Sequence, residues 1–122
     1  MIDHVTANVQ DLDAAKVFYT EALAPLGYSP QMEFAGAAVG FGTGEGIPAF
    51  WITSREGRGA THVAFAAPDR PTVDAFHAAA LNAGASDNGA PGLRPDLHEN
   101  YYGAFVHDAD GNNIEAVCHL PG

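Results

Sequence analysis

Apolar and polar positions alternate over Asp3–Val9: Val5, Ala7 and Val9 fall on one side and His4, Thr6 and Asn8 on the other. A two-residue period of this kind predicts a strand with one buried face. The period then lengthens. Val17, Phe18, Leu23 and Leu26 approximate a helical stripe, Asp11 or Asp13 can cap its start, and Gly27 can stop it. Strands are predicted next over Gln31–Phe34, Ala37–Phe41 and Ile47–Ser54, separated by glycine-rich turns.

The same succession returns further along. Val63, Phe65 and Ala67 alternate with His62, Ala64 and Ala66, and Asp69 and Pro71 suit the first turn of a helix carrying Val73, Phe76, Ala80 and Leu81. Gly84 is its expected stop. Tyr101–His107 and Asn112–His119 flank Asp108-Ala109-Asp110-Gly111, a strong hairpin signal. Between them, Ser86–Asn100 reads as a loop with a short strand inside. At a constant offset of 58 residues, His4 lies on His62, Val5 on Val63, Asp11 on Asp69, Phe18 on Phe76, Ala22 on Ala80 and Leu23 on Leu81. The chain is therefore read as one domain, 1–122, built from a βαβββ unit of about 1–57 and a second of about 58–122.

Composition narrows the function classes. Hydrophobic residues make up 47% of the 122 positions and there is one cysteine, which excludes a disulfide framework and a Cys-rich zinc module. Five basic residues against 15 acidic ones give a formal charge of −10, which argues against nucleic-acid binding. No apolar run reaches the ~18 residues of a membrane span, and the N-terminus has no signal-peptide core, so no membrane partner and a cytoplasmic location are expected.

The repeat puts His4 and His62 at equivalent places on the polar faces of the opening strands. A pseudo-twofold axis would aim both imidazoles at one point. Glu115, between the apolar Ile114 and Ala116 of the last strand, is a third candidate, since a carboxylate there needs a partner or a metal. Two histidines and one carboxylate form a facial triad that leaves positions open on a divalent ion such as iron, zinc, manganese or nickel. The plainer alternative is a hydrogen-bonded cluster of the same residues that holds no metal.

These residues carry a resemblance. DHVTANVQDL with FYTEAL, THVAF, and AFVHDADGNNIEAV resemble the glyoxalase/bleomycin resistance protein/dioxygenase (vicinal oxygen chelate) superfamily. The resemblance implies an α+β fold in which two tandem βαβββ units form an open, curved, barrel-like sheet around a central site, with helices outside. It implies chelation of a substrate's vicinal oxygens by a divalent metal on His4, His62 and Glu115. Lyases, epimerases, ring-cleaving dioxygenases, fosfomycin thiol transferases and drug-binding proteins share that plan. Glyoxalase I-type members use a fourth, carboxylate ligand at the end of the first unit. Laying GTGEGIPAF on DADGNNIEA puts that position on Phe50, give or take one residue, and places a lyase of that type in doubt.

Other side chains complete the expectations. His98, Tyr101 and Tyr102 precede the penultimate strand and are candidate proton donors or substrate clamps. Phe50, Trp51 and Thr6 are candidate pocket residues, with Phe41 an alternative wall. A net charge of −10 with Phe50, Trp51, Tyr101 and Tyr102 would also suit sequestration of an aromatic cation by a non-catalytic protein. Arg55, Arg58, Arg70 and Arg94 are scarce cations expected at the surface, where one near the pocket would select an anion. His77 is expected to be peripheral, His107 and His119 solvent-facing, and Cys118 small buried filler. The hairpin Asp108–Gly111 and the glycines of 40–46 are read as turns rather than as calcium or phosphate sites. Short strands with open edges predict a homodimer.

Overall fold

A computed structural model describes residues 3–54 and 60–122; Arg55 and Arg58 lie outside the described residues. The elements run β1 (Val5–Asn8), α1 (Leu12–Ala22), a 3-10 turn (Ala24–Leu26), β2 (Ser29–Phe34), β3 (Ala38–Gly42) and β4 (Phe50–Thr53). The second half follows as β5 (His62–Ala66), α2 (Arg70–Asn82), β6 (Ser86–Leu93), β7 (Tyr102–His107) and β8 (Asn113–Cys118). Each half forms a four-stranded sheet, ordered β1-β4-β3-β2 and β5-β8-β7-β6. In both, the opening strand pairs in parallel with the last one and the other pairings are antiparallel. The sheets are curved and do not close into a barrel.

Local chemistry accounts for the helix starts. The Asp11 carboxylate accepts from the Ala14 amide at 3.0 Å, and Asp69 accepts from both the amide and the hydroxyl of Thr72. Each cap satisfies one of the amides that a helix leaves without an internal partner. Thr72 holds the Asp69 carboxyl below the usual range.

The helix-side faces of the two sheets share one core. Phe50 of β4 meets Phe65 of β5 at 5.1 Å, Tyr28 meets Phe65 at 5.2 Å, and α1 packs on α2. The Tyr19 ring lies within this core, and its hydroxyl donates to Asp108 at 2.6 Å. Burial, and then Asp108, raises that phenol's pKa strongly. Asp108 also accepts from the amides of Asp110 and Asn112 and from the Asn112 side chain. Asn112 in turn donates to the Asn8 carbonyl at 3.0 Å and accepts from the Thr61 amide at 2.7 Å. The hairpin between β7 and β8 is thus a turn, as expected, and also a buried polar junction between the halves.

Several expectations change. Val17 is 62% exposed, while Tyr19 and Ala22 are the buried residues of α1, because the Asp108 carboxylate takes the tyrosine hydroxyl inward. His77 is buried rather than peripheral, and its Nε2 lies 2.9 Å from Asp87. Ser86–Asn100, expected as a loop with a short strand inside, opens with an eight-residue strand, Ser86–Leu93, whose pairing with β7 slips in register on either side of Gly89.

Candidate metal and substrate site

On the open face of the second sheet, β5 and β8 lie in parallel register, with His62 opposite Asn113 and Ala64 opposite Glu115. Glu115 is 1% exposed although it is ionisable. Its Oε1 lies 3.1 Å from His62 Nε2, and its Oε2 accepts the Tyr101 hydroxyl. Gly103 permits this meeting: a Cβ there would stand 3.1 Å from the Tyr101 ring and 3.3 Å from Oε2. Asn113 donates its amide to His62 Nδ1 at 2.7 Å, which leaves the proton on Nε2, facing Glu115. Burial first, then the hydrogen bond to Glu115 and its charge, push the Tyr101 phenol up to about 12, against a smaller opposing pull from Arg94. Tyr101 therefore holds its proton at neutral pH and can only donate it.

Two donors on adjacent corners of a metal octahedron stand about 3 Å apart when the bonds are about 2.1 Å long. The separation between His62 Nε2 and Glu115 Oε1 matches that edge. His4 does not join them within one chain. Its Nδ1 contacts Asp3 at 2.7 Å on an exposed strand end, and among the described residues no three His, Cys, Asp or Glu side chains come within reach of one ion. The expected convergence of both imidazoles on one point is not seen within one chain among the described residues.

Register also identifies the counterpart of Glu115 in the first half. Val5 pairs with Phe50 and Thr6 with Trp51, just as Val63 pairs with Ile114 and Ala64 with Glu115. The position equivalent to Glu115 is therefore Trp51, one residue beyond Phe50. Trp51 and Thr6 share the open face of the first sheet, where the Trp51 ring stacks on Phe34 at 6.0 Å. Phe50 turns the other way, into the core beside the fully buried Phe41, and also borders a small cleft that His4, Ala49 and Ala64 line.

Tyr102, expected near the pocket, is placed elsewhere. It pairs with Cys118, its hydroxyl donates to Asp74 of α2 at 2.7 Å, and it faces the helix rather than Glu115. That bond raises its pKa. His98 touches the cluster indirectly. Its ring meets the exposed His119 at 5.6 Å, and His119 meets Tyr101 at 5.2 Å. Cys118 is buried, as expected. Among the described residues, no helix is long and apolar enough to cross a membrane.

Asn113 and Phe105 went unnoticed in the sequence. Pairing β5 with β8 in parallel, one residue at a time from His62, is the signal that finds Asn113. Phe105 pairs with Glu115 and lies edge-on to His62 at 6.4 Å.

Comparisons with known proteins agree with this architecture. A glyoxalase/bleomycin resistance protein from Albidiferax ferrireducens T118 is 33% identical, with a TM-score of 0.80 over 95% of this chain and 97% of that one. A lactoylglutathione lyase from Agrobacterium tumefaciens shares the fold at 21% identity and a TM-score of 0.71, covering 97% and 92% of the two chains. A glyoxalase/bleomycin resistance protein/dioxygenase family enzyme from Burkholderia phytofirmans PsJN does so at 16% identity and a TM-score of 0.74, covering 98% of each. No curated protein matches the chain. The Glyoxalase/Bleomycin resistance protein/Dioxygenase superfamily profile matches residues 1–116, and the chain belongs to that superfamily.

Proposed function

We propose that this protein is a metal-dependent enzyme, of lyase, isomerase or dioxygenase type, acting on a small molecule with vicinal oxygens. One observation carries the reading: a buried carboxylate, Glu115, whose two oxygens meet His62 Nε2 and the Tyr101 hydroxyl. A divalent ion bound there would polarise the substrate's oxygens. His62 and Glu115 would hold it from one chain, and His4 of a second copy would supply the third donor, making the active form a homodimer. Asp3 on Nδ1 of His4, and Asn113 on Nδ1 of His62, leave Nε2 of each ring as the binding atom. For His62 this requires the Asn113 amide to turn over, so that its oxygen accepts the Nδ1 proton while Nε2 gives up its own. Tyr101 orients Glu115 by donating its hydroxyl to Oε2. Trp51, where a fourth ligand would stand, offers a ring instead of a base. A glyoxalase I-type lyase using that carboxylate is accordingly disfavoured.

Metal-stripped protein titrated with iron(II), zinc, manganese and nickel tests this reading. Binding that disappears in Glu115→Gln, with the fold intact by circular dichroism, supports it. Binding that survives that change contradicts it.

A second reading has its own observation. The exposed Phe34 stacked on Trp51 makes an aromatic platform on an acidic protein, suited to a planar cation held without chemistry. Thermal stabilisation by ethidium that needs no metal and is lost in Trp51→Ala would favour it.

A further inference from the structure

Among the described cations, Lys16 pairs with Glu33, and Arg70 lies 5.1 Å from the centre of the Tyr102 ring on the helix side of the second sheet. Arg94 is different. Its guanidinium lies 5.5 Å from the centre of the Phe105 ring, the ring that also meets His62 and pairs with Glu115. It therefore lies on the open face, one phenyl ring from the candidate metal donors. No carboxylate pairs with it among the described residues. Its partners are the carbonyls of Ala90 at 2.8 Å and Leu93 at 3.5 Å, which use part of its five-donor fork.

Two glycines of β6 lie against this side chain. The slips in the β6–β7 register fall at Gly89 and between Gly89 and Gly92. A Cβ on Gly89 would come within 3.2 Å of one guanidinium nitrogen and 3.0 Å of the Phe105 ring, and a Cβ on Gly92 within 3.1 Å of the other nitrogen. Gly89 also has φ +151°, a conformation that L side chains rarely adopt. The Arg94 amide donates to the Tyr101 carbonyl at 2.7 Å, tying its position to the residue that orients Glu115. Half-buried, over the Phe105 ring and hydrogen-bonded to the Ala90 carbonyl, the guanidinium keeps donors free for a planar oxyanion.

We infer that Arg94 is the specificity-determining residue of this site and that the substrate is a small anion. Its carboxylate or phosphate is held by Arg94, while its vicinal oxygens reach His62 and Glu115. The second half of that statement rests on the metal-site reading. The first half does not. On a protein of net charge −10, which repels anions at long range, the one cation beside the donors among the described residues makes the local preference one of geometry.

The test uses two calorimetric titrations. Metal-loaded protein is titrated with 2-hydroxyglutarate and with its 5-amide, which keeps the 2-hydroxycarboxylate and loses the distal charge. Wild type binds the acid about tenfold or more tighter than the amide. Arg94→Gln binds both at the amide's affinity with unchanged metal content, and Arg94→Lys recovers part of the preference. A preference that survives Arg94→Gln, or none in metal-loaded wild type, overturns the inference. Metal-stripped protein is titrated in parallel with glutarate and with inorganic phosphate, and the tighter of the two names the oxyanion. Binding that Arg94→Gln abolishes upholds Arg94 even where no metal is taken up, which then refutes the metal reading alone. Failure of both anions to bind wild type overturns the Arg94 assignment.

Discussion

Replacing Tyr101 by Phe removes one hydroxyl and keeps the ring that borders Gly103 and His119. The lost group donates to Oε2 of Glu115, a carboxylate that is 1% exposed and has little water to replace it. A buried acceptor deprived of its donor costs about 1–3 kcal/mol. For a domain of this size that lowers Tm by about 4–12 °C, at about 4 °C per kcal/mol. The assay is a double-mutant cycle in metal-stripped protein, followed by urea or thermal unfolding. In the Glu115→Gln background the acceptor is neutral, and the same Tyr101→Phe change should cost less than about 1 kcal/mol. Equal losses in both backgrounds would show that the ring matters and the hydroxyl–carboxylate contact does not. The linkage has a definite sign. Folding raises the Tyr101 phenol from the ordinary 10.0 to about 12, so the folded state keeps a proton that the unfolded state releases. The stabilisation is complete below pH 10 and is lost as pH rises through about 12. Tyrosinate absorbance should therefore show a late-titrating group that Tyr101→Phe deletes and Glu115→Gln shifts earlier; an unchanged titration in Tyr101→Phe refutes the assignment.

Further outcomes follow from the same geometry. Asp108→Ala leaves the Tyr19 hydroxyl, two amides and the Asn112 side chain without their acceptor, and should cost about 3 kcal/mol or more by urea unfolding. Asp87 is held below the usual carboxylate range first by the Gly89 amide and then by His77. Its contribution is present above that range and fades as pH falls through the lowered value, so the stabilities of wild type and Asp87→Asn should converge in acid. Trp51→Glu restores a carboxylate at the position equivalent to Glu115, and calorimetry should show tighter metal binding than wild type.

Much of the fold was legible because it is written twice. The offset of 58, the alternation in both opening strands and the capping aspartates located β1, β5 and both helices. What remained hidden depended on register or on distant partners. Tyr101 and Tyr102 are neighbours in sequence but lie on opposite faces, and only the pairing of Tyr102 with Cys118 tells them apart. Phe50 and Trp51 are separated by the same one-residue alternation. Tyr19 is buried because Asp108, 89 residues away, receives its hydroxyl, and no stripe on α1 shows that. Strand β6 was obscured by Gly89, Pro91 and Gly92, residues that usually mark loops. Here two of them lie against Arg94.

In the proposed site, one ion draws on donors from both halves of the repeat. Metal titration of wild type, His4→Ala, His62→Ala and Glu115→Gln, with oligomeric state read by light scattering in the same samples, tests it most directly. One ion per chain is expected in a dimeric wild type, with loss of that ion in each variant while circular dichroism stays native. Uptake that is unaffected by His4→Ala or by Glu115→Gln would contradict it.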